Sequence, residues 1–221
     1  MQTSRRHWIQ PETHVIAIID YKAGNLTSVR LALESLGVEG EITSDPQRIL
    51  AADRVIFPGV GAAGAAMETL KSLGLVDVIR QVATRGTPFF GICLGTQILF
   101  ERSEENGGTE CLGLLPGSVR LFRPTDRFDK VPQMGWNSVA QRVPHPIFDG
   151  IEDNSEFYFV HSYYPAPSDP ACVLGETAYG GVSFASVVGR GNLVATQFHP
   201  EKSGKVGLRL LGNFVKWTVG K

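Results

Sequence analysis

A chain of 221 residues with 43% hydrophobic and 19% charged side chains is long enough to bury a sizeable core and has the balance of a globular protein. Its net charge of −1 gives no electrostatic footprint for nucleic acid or an anionic membrane surface, and no apolar run reaches the ~20 residues of a membrane span. Three cysteines do not make a disulfide framework; they suit a reducing cytoplasm, where a lone cysteine is either buried or catalytic.

Residues 1–14 carry two arginines but no signal-type apolar segment, and read as a flexible N-terminal extension to a single domain over residues 15–221. Residues 15–19 are apolar on both faces, as a central parallel strand must be. Asn25 stands in a helix-cap position before Leu26, Val29, Leu33 and Leu36 at helical spacing, and Gly37 ends that run. Residues 54–57 predict a second buried strand, stopped by Pro58-Gly59. A helix over 70–82, a strand over 88–92 and a helix from 94 to 100 follow. This βαβαβα order predicts an α/β fold: a doubly wound, mostly parallel sheet with right-handed crossovers, flanked by helices. From residue 117 short strands alternate with turns, at 118–122, 138–140, 157–160, 172–176, 182–187 and 193–197, and are expected as antiparallel additions to the same core. Ser203 is the expected cap of a closing helix through Val206, Leu210, Leu211, Phe214 and Val215.

Three segments carry chemistry. In Gly91-Ile92-Cys93-Leu94-Gly95 the glycines at −2 and +2 fit a strand-to-helix elbow that presents a nucleophile at the carboxyl edge of the sheet. The following helix N-terminus favours a thiolate, and the Leu94 N–H points toward a developing oxyanion. A small buried cysteine in a Gly-rich turn is the competing reading of that segment alone. In Phe198-His199-Pro200-Glu201, an extended chain points His199 and Glu201 to one side, giving the imidazole base and the group that orients it. The glycines of Pro58-Gly59-Val60-Gly61 let main-chain N–H groups swing toward an oxyanion, although a phosphate-binding turn or simple helix entry fits them too. The five histidines are scattered and no C-x-x-C occurs, so no metal and no cofactor is expected.

Together, G-I-C-L-G-T-Q, P-G-V-G and F-H-P-E resemble the class I, triad-type glutamine amidotransferases. D-Y-K-A-G-N-L from Asp20, V-P-Q-M-G-W-N from Val131 and F-Y-F-V-H-S-Y-Y from Phe157 narrow the resemblance to the glutaminase subunit of imidazole glycerol phosphate synthase, over about residues 15–215. The resemblance implies that Cys93 attacks the side-chain amide of L-glutamine, that His199 shuttles the proton and that Glu201 orients it. It implies an oxyanion held by Leu94 and the Gly59-Val60-Gly61 loop, and substrate contacts from Gln97, Glu105, Ser162 and Tyr163. It further implies a heterodimer with a TIM-barrel cyclase that takes the ammonia into histidine biosynthesis, with Lys202, Trp136 and Asn25 as interface candidates; Trp136 fits a core position equally well. Two positions depart from the family pattern: Lys22 where a small residue is usual, and Gln133 where a histidine is usual. A glutaminase of another amidotransferase, a non-catalytic subunit that keeps the fold, and a γ-glutamyl peptidase working alone are the rival readings.

Overall fold

The computed structural model describes residues 15–220; the N-terminal extension expected over 1–14 lies outside the described residues. Strand β1 (Ile16–Ile19) is buried at every position. Its side chains alternate between two cores, Ile16 and Ile18 facing one and Ala17 and Ile19 the other. Helix α1 (Leu26–Ser35), strand β2 (Gly40–Thr43), helix α2 (Pro46–Ala51) and strand β3 (Arg54–Gly59) follow. Next come α3 (Ala63–Ser72), α4 (Leu75–Thr84), β4 (Phe89–Cys93) and the single turn α5 (Leu94–Gln97). The second half holds β5 (Arg102–Ser103), β6 (Thr109–Glu110), β7 (Gly117–Leu121), β8 (Gln133–Gln141), β9 (Ser155–His161) and β10 (Tyr163–Pro167). It closes with β11 (Val173–Tyr179), β12 (Val182–Arg190), β13 (Leu193–Thr196) and α6 (Gly204–Lys216).

The main sheet has nine strands in the order β2-β1-β3-β4-β13-β12-β11-β8-β9. The first five run parallel and the last four extend them antiparallel. Core residues of α1 and α6 pack on one face and those of α2, α3 and α4 on the other, so the sheet is doubly wound. Register sets the site: Gly59 at the end of β3 is level with Cys93 at the end of β4, and Thr196 at the end of β13 with Ile92. Three segments therefore leave neighbouring strands at one carboxyl edge, where open α/β sheets place their ligands.

Several elements differ from expectation for identifiable reasons. β2 is an edge strand, half-buried at Glu41 and Ile42, and lacks the two-faced apolar run that marks β1. The helix expected over 70–82 is two helices, because Gly74 takes a left-handed conformation (φ 67°) that ends α3 and starts α4. The helix expected from 94 to 100 keeps a single turn as α5. The strand expected at 118–122 belongs to a separate four-stranded sheet, β10-β7-β5-β6, rather than to the main one. The strand at 138–140 is the inner part of β8, whose first half reaches the surface at Met134 and Trp136.

Lys22 carries a positive φ of 65° in the turn after β1, and its N–H donates to Asp20 Oδ1 at 2.8 Å. A side chain in this region costs about 1 kcal/mol or more, which glycine avoids at the expense of greater freedom when unfolded. Lys22→Gly is therefore expected to leave the fold intact and raise stability by up to about 1 kcal/mol, read as a higher urea midpoint at unchanged slope. A lower midpoint would show that Lys22 makes a contact that outweighs its backbone strain.

Candidate active site

Cys93 ends β4 with φ 53° and ψ −107°, a conformation that L-residues rarely adopt. The chain tolerates it because the flanking positions are glycines at close approaches. A Cβ added at Gly95 would lie 1.8 Å from the Phe57 carbonyl oxygen, and one at Gly91 would lie 2.9 Å from the Ala195 Cβ. Thr96 Oγ1 donates to the Thr196 carbonyl at 2.6 Å and ties the elbow to the end of β13. Cys93 is buried, with 7% of the residue exposed. It makes long contacts to the Val160 carbonyl (3.9 Å) and the Gln197 side-chain amide (3.7 Å).

His199 follows β13 in a short connection, not a strand or a regular helix. Its N–H donates to the Tyr158 carbonyl at 3.0 Å. The Ser203 hydroxyl donates to the His199 carbonyl at 2.7 Å and accepts from the Tyr158 N–H at 2.9 Å. Ser203 thus occupies the cap position of α6, as expected, without capping it. The imidazole is fully buried, with Nδ1 2.7 Å from Glu201 Oε1, an arrangement that leaves Nε2 free of the carboxylate. Burial works against its charge, but the adjacent Cys93 sulfur and the Glu201 carboxylate outweigh that and hold it up at about 10.

Asn25 likewise sits at the cap position of α1 without capping it: its φ is 76° and its side chain makes no cap hydrogen bond. The amide nitrogen donates instead to Glu201 Oε1 at 2.7 Å and lies 3.4 Å from His199 Nδ1. This inward role, rather than a cap, is what the structure gives Asn25. Lys202 is exposed beside this segment. Trp136 is 54% exposed, edge-on to Tyr158 at 6.2 Å, which settles its alternative core reading against.

A cavity of about 290 Å³ opens over the thiol and brings together Val60, Gly61, Cys93, Leu94, Gln97, Glu105, Ser162, Tyr163 and His199. Gln97 is buried, its amide donating to the Tyr163 carbonyl (2.9 Å) and to Gln197 Oε1 (3.0 Å). Glu105 contributes a carboxylate to the wall and accepts the Ala63 N–H, first of α3, at 2.5 Å. The Ser162 carbonyl is already paired with the Phe122 N–H. Between Gly59 and Ala63 only residues 60–62 are free of regular structure, with Gly61 at φ 101°. Among the described residues no group of three or more His, Cys, Asp or Glu is placed to hold a metal.

Two side chains beside the thiol lie outside the sequence expectation: Gln197, fully buried against the Cys93 sulfur, and His161, on the cavity wall. Gln197 precedes His199 by two and so shares its side of an extended segment, which is the signal that would have found it. His161 lies on the wall, with Nδ1 donating to the Tyr163 carbonyl at 2.7 Å. Its Nε2 is buried unpaired, as is Oε1 of Gln133, its partner across the β8–β9 ladder.

A nucleophile elbow, a His–Glu pair and a glycine loop on one sheet edge invite comparison with known proteins. The model of the glutamine amidotransferase class-I family matches residues 17–217. The chain belongs to this family. Imidazole glycerol phosphate synthase subunit HisH of Dehalococcoides mccartyi (strain CBDB1) is 50% identical over 206 residues, covering 93% of this chain and 98% of that relative. The subunit HisH of Desulfovibrio desulfuricans (strain ATCC 27774) is 54% identical over 208 residues, covering 92% and 94%. Among solved structures, a glutamine amidotransferase superposes with a TM-score of 0.71 at 20% identity, covering 91% of this chain and 97% of that one. The glutaminase domain of Trypanosoma brucei CTPS with bound acivicin gives 0.62 at 17%, covering 93% and 95%. These distant likenesses establish that the amidotransferase fold is shared.

The two histidines of this amidotransferase cavity are driven in opposite directions. Burial lowers His161 to about 4, outweighing the opposing hydrogen bond to the Tyr163 carbonyl, and the charge of His199 adds a lesser push in the same direction as burial. A histidine kept neutral in this way contributes stability present in full above its unfolded value near 6.5 and lost as pH falls through about 4. The shift corresponds to about 3 kcal/mol. Unfolding free energy measured between pH 7 and 4 is expected to fall by that order through His161, and to fall less steeply in His161→Gln. An unchanged slope in the variant would assign the acid limb to other groups.

Proposed function

We propose that this chain is the glutaminase subunit of an imidazole glycerol phosphate synthase. The observation that carries the proposal is the strained Cys93 facing a buried, hydrogen-bonded His199–Glu201 pair across a cavity of substrate size. The family membership and the names of the half-identical relatives support it.

In this reading the Cys93 thiolate attacks the side-chain amide carbon of L-glutamine. The resulting oxyanion is held by the Leu94 N–H and an N–H of the Gly59-Val60-Gly61 loop. His199, protonated and steadied by Glu201 and Asn25, gives its Nε2 proton to the leaving nitrogen. The carbon–nitrogen bond breaks, ammonia departs, and a glutamyl thioester remains on Cys93. Water then attacks the thioester with His199 as the base, releasing glutamate and restoring the thiolate and the imidazolium. The Glu105 carboxylate faces the α-ammonium of the substrate, and the Gln97 and Tyr163 region holds its backbone end. Ammonia passes to a TIM-barrel cyclase docked over the mouth, where exposed Trp136 and Lys202 offer an aromatic and a cationic anchor. The reducing cytoplasm is the compartment such a thiol requires.

Two measurements test this reading. Ammonia release from glutamine is expected to be weak for the isolated chain and to rise strongly when the cyclase and its nucleotide ligand are added, since the Gly59–Gly61 loop can rest with its N–H groups turned away. Full activity of the chain alone would favour a free-standing γ-glutamyl hydrolase. In the complex, Cys93→Ala is expected to abolish glutamine-dependent synthesis while leaving synthesis from added ammonium salt intact. Loss of both would place Cys93 outside the ammonia-forming step.

A further inference from the structure

The hydroxyl of Tyr21 is buried and has no hydrogen-bond partner. Its ring is fixed against Phe57 at 5.3 Å between centroids. The oxygen stands directly behind Gly59: a Cβ added there would come within 2.1 Å of it. The cavity wall on this side is formed by Val60 and Gly61, and Tyr21 takes no part in it. The backbone at Gly59 therefore separates the phenol from the catalytic cavity. Burial and the nearby Cys93 sulfur push the phenol well above its ordinary value, so it remains a donor at every working pH.

A peptide plane in such a strand end has two sides, with its N–H and its C=O pointing in opposite directions. If the Val60 N–H turns toward Cys93, the Gly59 carbonyl in the same plane turns away from the cavity, toward the phenol. We propose that Tyr21 is a positioning residue whose hydroxyl donates to the Gly59 carbonyl in the arrangement that aims the loop N–H at the oxyanion. This rests on the glutaminase reading above and deepens it. The unpaired hydroxyl destabilises the resting arrangement, and the new hydrogen bond stabilises the working one; both effects favour the working arrangement.

Tyr21→Phe keeps the ring and removes only the oxygen. Assayed with the cyclase and its nucleotide ligand, it is expected to lower kcat for ammonia release by roughly three- to tenfold, the equivalent of one neutral hydrogen bond. KM for glutamine is expected to stay within about twofold, and the thermal midpoint to match or exceed that of the wild type, because an unpaired buried hydroxyl has been removed. A kcat equal to the wild type overturns the role of Tyr21 while leaving the glutaminase reading in place. A fall in kcat with a lower thermal midpoint also overturns it, by showing a purely structural role. A wild-type chain that releases no ammonia under any of these conditions overturns the glutaminase reading, and the role of Tyr21 with it.

Discussion

The turn after β4 passes so close to the end of β3 that no side chain fits between them, and the rest of the site depends on this approach. At Gly95 the space a Cβ would need is occupied by the Phe57 carbonyl. That contact holds the elbow down on the neighbouring strand, so the chain must reverse sharply at Cys93 and accept a positive φ there. Strain of this kind is worth about 1–3 kcal/mol and persists only where surrounding structure overdetermines it. Here the overdetermination is visible: the elbow is pinned to β13 through Thr96, and Gly59 is level with Cys93 in the ladder. One steric constraint thereby places the thiol, the Leu94 N–H and the glycine loop at a common point.

Electrostatics then divides the labour between two histidines within one cavity. His161 donates to a carbonyl and has no carboxylate against it, so burial keeps it neutral. His199 is no less buried, yet the pairing of Nδ1 with Glu201 and the proximity of Cys93 keep it charged. A charged His161 would repel the imidazolium of His199. A neutral one leaves the His199–Glu201 pair undisturbed. The opposite shifts of two histidines in one cavity thus follow from their different partners.

The parallel half of the fold was legible because its strands are buried on both faces and its helices carry a clear apolar stripe, as residues 15–19 and the run from Leu26 show. β2 was not legible, since an edge strand with Glu41 has no such run. The break at Gly74 escaped because a lone glycine within an apolar period resembles a tolerated helical residue. The elbow and the F-H-P-E segment were legible from local spacing. From local spacing Asn25 and Ser203 were legible only as caps, because local sequence records a polar residue before a helix and not the distant group it bonds. Both stand at helix starts with side chains turned to the segment that carries His199 and Glu201. Tertiary demand outweighed local capping at the two positions nearest the chemistry.

The glycine loop is where these constraints leave freedom. Its first residue is locked in the ladder opposite Cys93, and its last N–H belongs to Ala63, held by Glu105. Only three residues lie between these fixed points, so motion is confined to rotation of peptide planes, with no need for a travelling lid. Small rotations suffice, because a plane turned about its own axis replaces an acceptor with a donor at nearly the same place. The carboxylate that fixes the far end also lines the cavity, so a cation entering there shares its charge with the Ala63 N–H. Charge arriving in the cavity and the anchor of the loop's far end thus meet in one side chain. A segment this short can remain fixed to the scaffold and still adopt two functionally distinct arrangements.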